Sequence, residues 1–150
     1  HLCGGLTHRL KKDDAKMIKE NDLAVSGESG MQAIVQLLST MDVNDCGAFL
    51  ELEVTSEKDA IVAATTWKQR QDEEQVPQLV LMLDNFGPER SKEMVRELSD
   101  MGLRDAVVLE ASGNIVFKDL EAWRECGVDV LSTSAINRGT APLDVSMLID

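Results

Sequence analysis

QLVLML, Gln78 to Leu83, is the stretch that decides the fold. Its run of Leu79, Val80, Leu81, Met82 and Leu83 leaves no polar position for either face, which is what a strand buried on both sides of a sheet requires. Asp84 and Asn85 end the run, and Pro88 stands where a helix opens. Met94, Val95, Leu98 and Met101 then recur at helical spacing up to Gly102, which reads as the helix stop.

The same grammar recurs on either side. A strand is expected from Ala48 to Val54, followed by a helix from about Ser56 to Arg70 with Ala60, Ile61, Ala63, Ala64 and Trp67 on one side. A third strand is expected from Ala106 to Leu109, then a helix around Lys118 to Cys126 closed by Gly127, then a fourth strand from Val128 to Ser132. Upstream, Met31 to Met41 reads as a helix using Ile34, Leu37 and Leu38, preceded by a loop with Gly27 and Gly30. Leu10 to Lys19 reads either as a helix or as a turn followed by a strand, and Leu143 to Ile149 as a closing helix or strand. Alternating strands and helices specify an α/β fold with a parallel sheet. Four strands with three intervening helices fall short of a closed eightfold barrel, which needs about 250 residues. The expectation is a small open sheet or part of an open α/β barrel.

The 150 residues suffice for one core, so residues 1–150 are read as one domain. With three Phe, two Trp and no Tyr, that core must come from Val, Leu, Ile, Met and Ala. A net charge of −12 repels polyanions, so neither nucleic acid nor an anionic membrane is expected as a partner. Cys3, Cys46 and Cys126 are odd in number, widely spaced and without a CxxC pattern, and read as reduced, buried thiols. No apolar run approaches the roughly 18 residues of a membrane span. A cytoplasmic enzyme or binding protein fits best. The chain opens at His1 in CGGLTHR without a Met, so a start further upstream is expected.

In parallel α/β folds chemistry sits at the C-terminal ends of strands. Those ends are polar here: Glu51 and Glu53, two apart and so on one side of their strand; Asp84 and Asn85; Glu110, Ser112 and Gly113; Ser132 and Ser134. If the ends converge, Glu53 and Asp84 could hold a divalent cation through oxygen ligands, Mg²⁺ being the ion such sites share with a phosphate substrate. The plainer alternative is that these residues cap helices, Asp84 before Pro88 and Ser112 before the next helix. Ser112 to Asn114, between strand and helix, offers backbone N–H groups to a phosphate, and the Ser134 loop offers a second such segment. His8, Arg9 and Lys19 suit a small dianion or, more plainly, form a solvated basic surface.

Taken together, GGLTHR at Gly4 to Arg9, MIKEN at Met17 to Asn21, ELEV at Glu51 to Val54, MLDNF at Met82 to Phe86, EASGN at Glu110 to Asn114, GVDVLSTSAI and APLDVSM resemble quinolinate phosphoribosyltransferase, specifically its C-terminal barrel part. The resemblance implies transfer of phosphoribosyl from phosphoribosyl pyrophosphate to quinolinate with Mg²⁺, giving nicotinate mononucleotide, carbon dioxide and pyrophosphate in NAD biosynthesis. It implies that His8, Arg9 and Lys19 hold the quinolinate carboxylates, that Glu53 and Asp84 face the ribose hydroxyls and the metal-bound pyrophosphate, and that Ser112, Gly113 and the Ser134 loop cradle the nucleotide phosphate. Lys19, Glu53 and Asp84 are then the catalytic residues. It further implies an N-terminal domain not represented in this sequence, and a homodimer or larger homo-oligomer in which that domain completes the partner's site. Five positions depart from the family pattern: Asp22 stands for a histidine, Asn114 for a second glycine, Ser134 for a phosphate-loop glycine and Arg138 for a common histidine, and Lys16 interrupts what the family would make a buried strand. The alternative expectation is a non-catalytic paralogue or fragment that binds a phosphorylated ligand or a partner subunit.

Overall fold

A computed structural model describes Gly5, residues 7–24 and residues 30–135. It contains one sheet of five parallel strands: β1 (Lys16–Ile18), β2 (Phe49–Val54), β3 (Gln78–Asp84), β4 (Val107–Ser112) and β5 (Val130–Leu131). The helices are α1 (Glu20–Ala24), α2 (Met31–Thr40), α3 (Glu57–Glu73), α4 (Gly87–Asp100) and α5 (Leu120–Trp123). For Leu10 to Lys19 the turn-then-strand reading is the one that holds, since β1 pairs with β2 and adds a fifth strand to the four expected. The expected closing element from Leu143 to Ile149, together with Cys3 and Gly27, lies outside the described residues.

Strand order follows chain order from β1 to β5 without reversal. A doubly wound sheet reverses at its switch point, whereas a sheet wound in one direction is the arrangement used by barrels. Because parallel crossovers are right-handed, winding in one direction places the crossover helices on one face. Alternation assigns the two faces. Leu50, Leu52, Val54, Leu79, Leu81, Leu83, Val107 and Leu109 are buried in one core with Ala60, Ala63, Ala64 and Trp67 of α3 and Met94 and Leu98 of α4. The opposite face carries Met17, Glu51, Glu53, Val80, Met82, Asp84, Glu110 and Ser112, none of them in that core. That face is where polar chemistry can collect.

Local signals set the helix ends. Ser56 accepts from the backbone N–H of Asp59 at 3.2 Å and its hydroxyl donates back to Asp59 Oδ2 at 2.6 Å, a reciprocal cap that starts α3. At the end of α4, Gly102 at φ 69° lets Leu103 N–H reach the Leu98 carbonyl at 2.8 Å and Gly102 N–H reach that of Ser99 at 3.0 Å, a Schellman stop. The capping role for Asp84 and Ser112 is not realised. Asp84 ends β3, Ser112 ends β4, and the residue capping α4 is Phe86, without a side-chain bond.

Downstream the elements are shorter or shifted. β4 runs on to Ser112, while the helix expected from Lys118 to Cys126 is a 3-10 turn at Phe117–Asp119 followed by the four-residue α5. Only Trp123 of α5 is buried, packing with Ala111, Ile115 and Cys126 in a small separate cluster, so too little apolar surface supports a longer helix. The strand expected from Val128 to Ser132 is reduced to the two residues of β5. Cys46 and Cys126 are buried free thiols, as expected.

Candidate active site

The strand ends do converge. Lys19 directly follows β1, and its ammonium is ion-paired with Glu53 of β2; the Lys19 side chain is about half exposed and that of Glu53 mostly buried. Glu53 pairs laterally with Met82, two residues before Asp84, so Glu53 and Asp84 lie on the same face of neighbouring strands. Asp84 is in turn the register partner of Ser112. Asp22 has a structural role here, its carboxylate accepting from the backbone N–H of Lys19 at 2.9 Å and so fixing the turn that presents the lysine.

The loops after β3 and β4 are tied together. Asn85 N–H donates to the Ser112 carbonyl at 2.9 Å, its side-chain amide donates to Asp84 Oδ2 at 2.9 Å, and its Oδ1 accepts from the Asn114 side chain at 3.0 Å. Asn85 and Asn114 both sit in the left-handed region, at φ 56° and 54°, which asparagine tolerates better than most residues. The glycine pattern expected after Ser112 is thus met at Asn114 without a glycine. Gly113 has no such latitude: at φ 97°, a Cβ there would lie 2.4 Å from Asn85 Oδ1. Ser134 is exposed at the edge of this region, and Thr133 beside it bonds to the Ile115 carbonyl.

Two further acids belong to the site. Glu51 and Glu110, 0% and 2% exposed, converge on His8, whose Nε2 lies 3.0 Å from Glu51 Oε2 and 3.3 Å from Glu110 Oε2. Ser132 donates to the other oxygen of Glu110, whereas neither oxygen of Glu51 accepts a well-directed hydrogen bond among the described residues. Burial, and next the neighbouring Glu110, push the Glu51 carboxyl up to about 7, with His8 and Arg9 acting in the opposite sense. The strand periodicity carried this signal, since Glu51 shares a face with Glu53, and Glu110 with Ser112. Sequence reasoning noted both acids as polar strand residues but left them out of the site.

Arg9 is directed partly elsewhere, donating to the Ala15 carbonyl at 3.0 Å and approaching Met17 Sδ at 3.7 Å. His8, Glu51 and Glu110 form a trio of potential metal donors, their atoms within 4.8 Å of one another. The carboxylates of Glu53 and Asp84 supply the hard oxygen donors that Mg²⁺ takes together with substrate phosphates and water. A cleft of about 330 Å³ lined by Pro88, Glu89, Lys92, Glu121, Arg124 and Cys126 contains none of these strand-end residues.

Residues 1–148 match the family model described as the C-terminal domain of quinolinate phosphoribosyl transferase. The chain belongs to this family. It is 34% identical over 150 residues to a probable carboxylating nicotinate-nucleotide pyrophosphorylase of Methanothermobacter thermautotrophicus, covering 99% of this chain and 48% of that protein. A protein of the same description from Archaeoglobus fulgidus is likewise 34% identical, over 99% of this chain and 51% of its own length. Among solved structures, the nicotinate-nucleotide pyrophosphorylase of Francisella tularensis aligns with a TM-score of 0.65 at 31% identity, covering 89% of this chain and 40% of that one. The chain therefore spans about half the length of the curated family members it matches. No helix among the described residues is long and apolar enough to cross a membrane.

Proposed function

We propose that this chain is the catalytic domain of a quinolinate phosphoribosyltransferase acting in NAD biosynthesis. The enzyme transfers phosphoribosyl from phosphoribosyl pyrophosphate to the ring nitrogen of quinolinate and releases pyrophosphate and carbon dioxide, giving nicotinate mononucleotide. The observation that carries this reading is the Lys19–Glu53 ion pair beside the Asp84–Ser112 register pair. It sets a cation suited to a carboxylate substrate next to carboxylates suited to a ribosyl cation.

His8, Arg9 and Lys19 bind the quinolinate carboxylates and orient the ring nitrogen toward the ribosyl carbon. As the bond to pyrophosphate breaks, that carbon gains positive charge, and the carboxylates of Glu53 and Asp84 stabilise it electrostatically while accepting from the ribose hydroxyls. Ser112, the Gly113 backbone and the Ser134 loop hold the phosphate of the nucleotide, whose approach a side chain at position 113 would crowd. Mg²⁺, held by Glu53 and Asp84, would offset charge on the leaving pyrophosphate. The working form is a homodimer or larger homo-oligomer of the full-length protein, in the cytoplasm; the buried free thiols Cys46 and Cys126 accord with a reducing compartment.

The test is to supply the full-length protein with quinolinate, phosphoribosyl pyrophosphate and Mg²⁺ and to follow pyrophosphate and nicotinate mononucleotide. Both products are expected, with loss of turnover on chelation and none from nicotinate in place of quinolinate. Ligand binding without either product would sink the reading in favour of a non-catalytic binding role.

A further inference from the structure

His8 has an unusual setting. Glu51 and Glu110 lie on strands that are not neighbours, with β3 between them, and adjacent strands run about 4.8 Å apart. The residues that β3 places beside them are Val80, partner of Glu51, and Met82, partner of Glu110. Neither can neutralise an acid. Two long carboxylate side chains thus lean over an apolar strand toward the same imidazole nitrogen, both buried, while the imidazole keeps 30% of its surface exposed. The Phe49 ring stands nearly perpendicular to the imidazole, with centroids 5.9 Å apart, and Ser132 braces Glu110 from behind.

Two carboxylates held together out of water oppose folding unless something offsets them. Apolar residues at positions 51 and 110 would avoid that cost, so the arrangement has to be explained by what it does to His8.

We propose, resting on the transferase reading above, that Glu51 and Glu110 are positioning residues that act through His8. Their carboxylates lie 3.0 and 3.3 Å from its Nε2 and hold the imidazole in place electrostatically, leaving the exposed part of the ring for a substrate carboxylate. Ser132 belongs to the same device, because its hydroxyl fixes the Glu110 carboxylate. Neither acid touches substrate. Their substitution should therefore weaken quinolinate selectively and leave phosphoribosyl pyrophosphate recognition, which uses Glu53, Asp84 and Ser112, in place.

The experiment is steady-state kinetics on the full-length protein with E51Q, E110Q, H8A and the double variant H8A/E51Q, with folding checked by circular dichroism. Turnover by the unsubstituted protein must come first; its absence would defeat the transferase reading itself. Given turnover, E51Q and E110Q are each expected to raise KM for quinolinate by about 10- to 100-fold, the range typical of groups that orient a ligating histidine, with KM for phosphoribosyl pyrophosphate little changed. In the H8A background, E51Q should add almost nothing, because its route of action is gone. Equal increases in both KM values, or an E51Q effect that persists in full without His8, would overturn the proposal. Should E110Q not fold, S132A reads the same device from behind, with a smaller rise in quinolinate KM expected and an unchanged value counting against it.

Discussion

The side-chain amide of Asn114 donates to Oδ1 of Asn85 at 3.0 Å, tying the loop after β4 to the loop after β3. Gly113 packs against Asn85, so the junction of the two loops depends on a residue without a side chain. Gly113→Ala combines a Cβ 2.4 Å from Asn85 Oδ1 with a backbone at φ 97°. A loss of about 1–3 kcal/mol in urea unfolding is expected, with weaker binding of phosphoribosyl pyrophosphate. Wild-type stability and binding together would count against the geometry.

Asn114 itself offers a milder contrast. At φ 54° the left-handed conformation penalises alanine by about 1–2 kcal/mol, whereas glycine adopts it freely. Asn114→Ala should therefore unfold at lower urea than Asn114→Gly, although both lose the bond to Asn85.

Lys19 and Glu53 are expected to matter to turnover rather than to folding, since the lysine side chain is about half exposed. Lys19→Met and Glu53→Gln should each lower kcat/KM by about 100- to 1000-fold, the effect of deleting one well-placed charge-stabilising group. Thermal unfolding should move little. Activity within a few-fold of wild type would remove these residues from the chemistry.

Glu51 makes stability depend on pH. Its folded carboxyl titrates at about 7 against an ordinary 4.5, so between these values the folded chain retains a proton that the unfolded chain releases. The stabilising contribution is complete below about 4.5 and is lost as the pH rises through the folded value near 7. The swing is on the order of 3 kcal/mol. Urea unfolding at about pH 5 and about pH 8 should show wild type losing stability at the higher pH, with the loss much reduced in E51Q. Parallel curves for the two proteins would refute it.

Arg70 tests the far side of the molecule. Its guanidinium donates to the carbonyls of Leu38 and Met41 at 2.8 and 3.0 Å, closing the end of α2, and it also pairs with Glu74. Arg70→Met should cost about 1–3 kcal/mol by leaving those carbonyls without their charged donor, with KM values unchanged in the folded enzyme.

Much of this was legible in one dimension. The apolar run of β3 and the helical spacing of Met94 and Leu98 reflect periods intrinsic to strand and helix, so parallel α/β architecture followed from the order of residues alone. Glu53, Asp84 and Ser112 were legible for the same reason, as polar residues interrupting that pattern at strand ends, whereas Lys19 was legible only as part of a basic cluster with His8 and Arg9. Short elements were not. β1 has three residues and β5 two, and each exists because a neighbouring strand supplies its hydrogen bonds. The helix expected at Lys118 to Cys126 shrank because Leu120, like Phe117 just before it, stays exposed and Trp123 alone of α5 is buried.

Sequence by itself thus determined the fold class, the alternation of strands and helices, and the identity of the polar residues that end β2, β3 and β4. Tertiary structure alone decided the partners: Lys19 with Glu53, Asn85 with Asn114, and above all Glu51 and Glu110 with His8. Backbone periodicity states which face a residue occupies, but a meeting across an intervening strand depends on strand register and side-chain reach. Those are fixed only when the sheet is assembled.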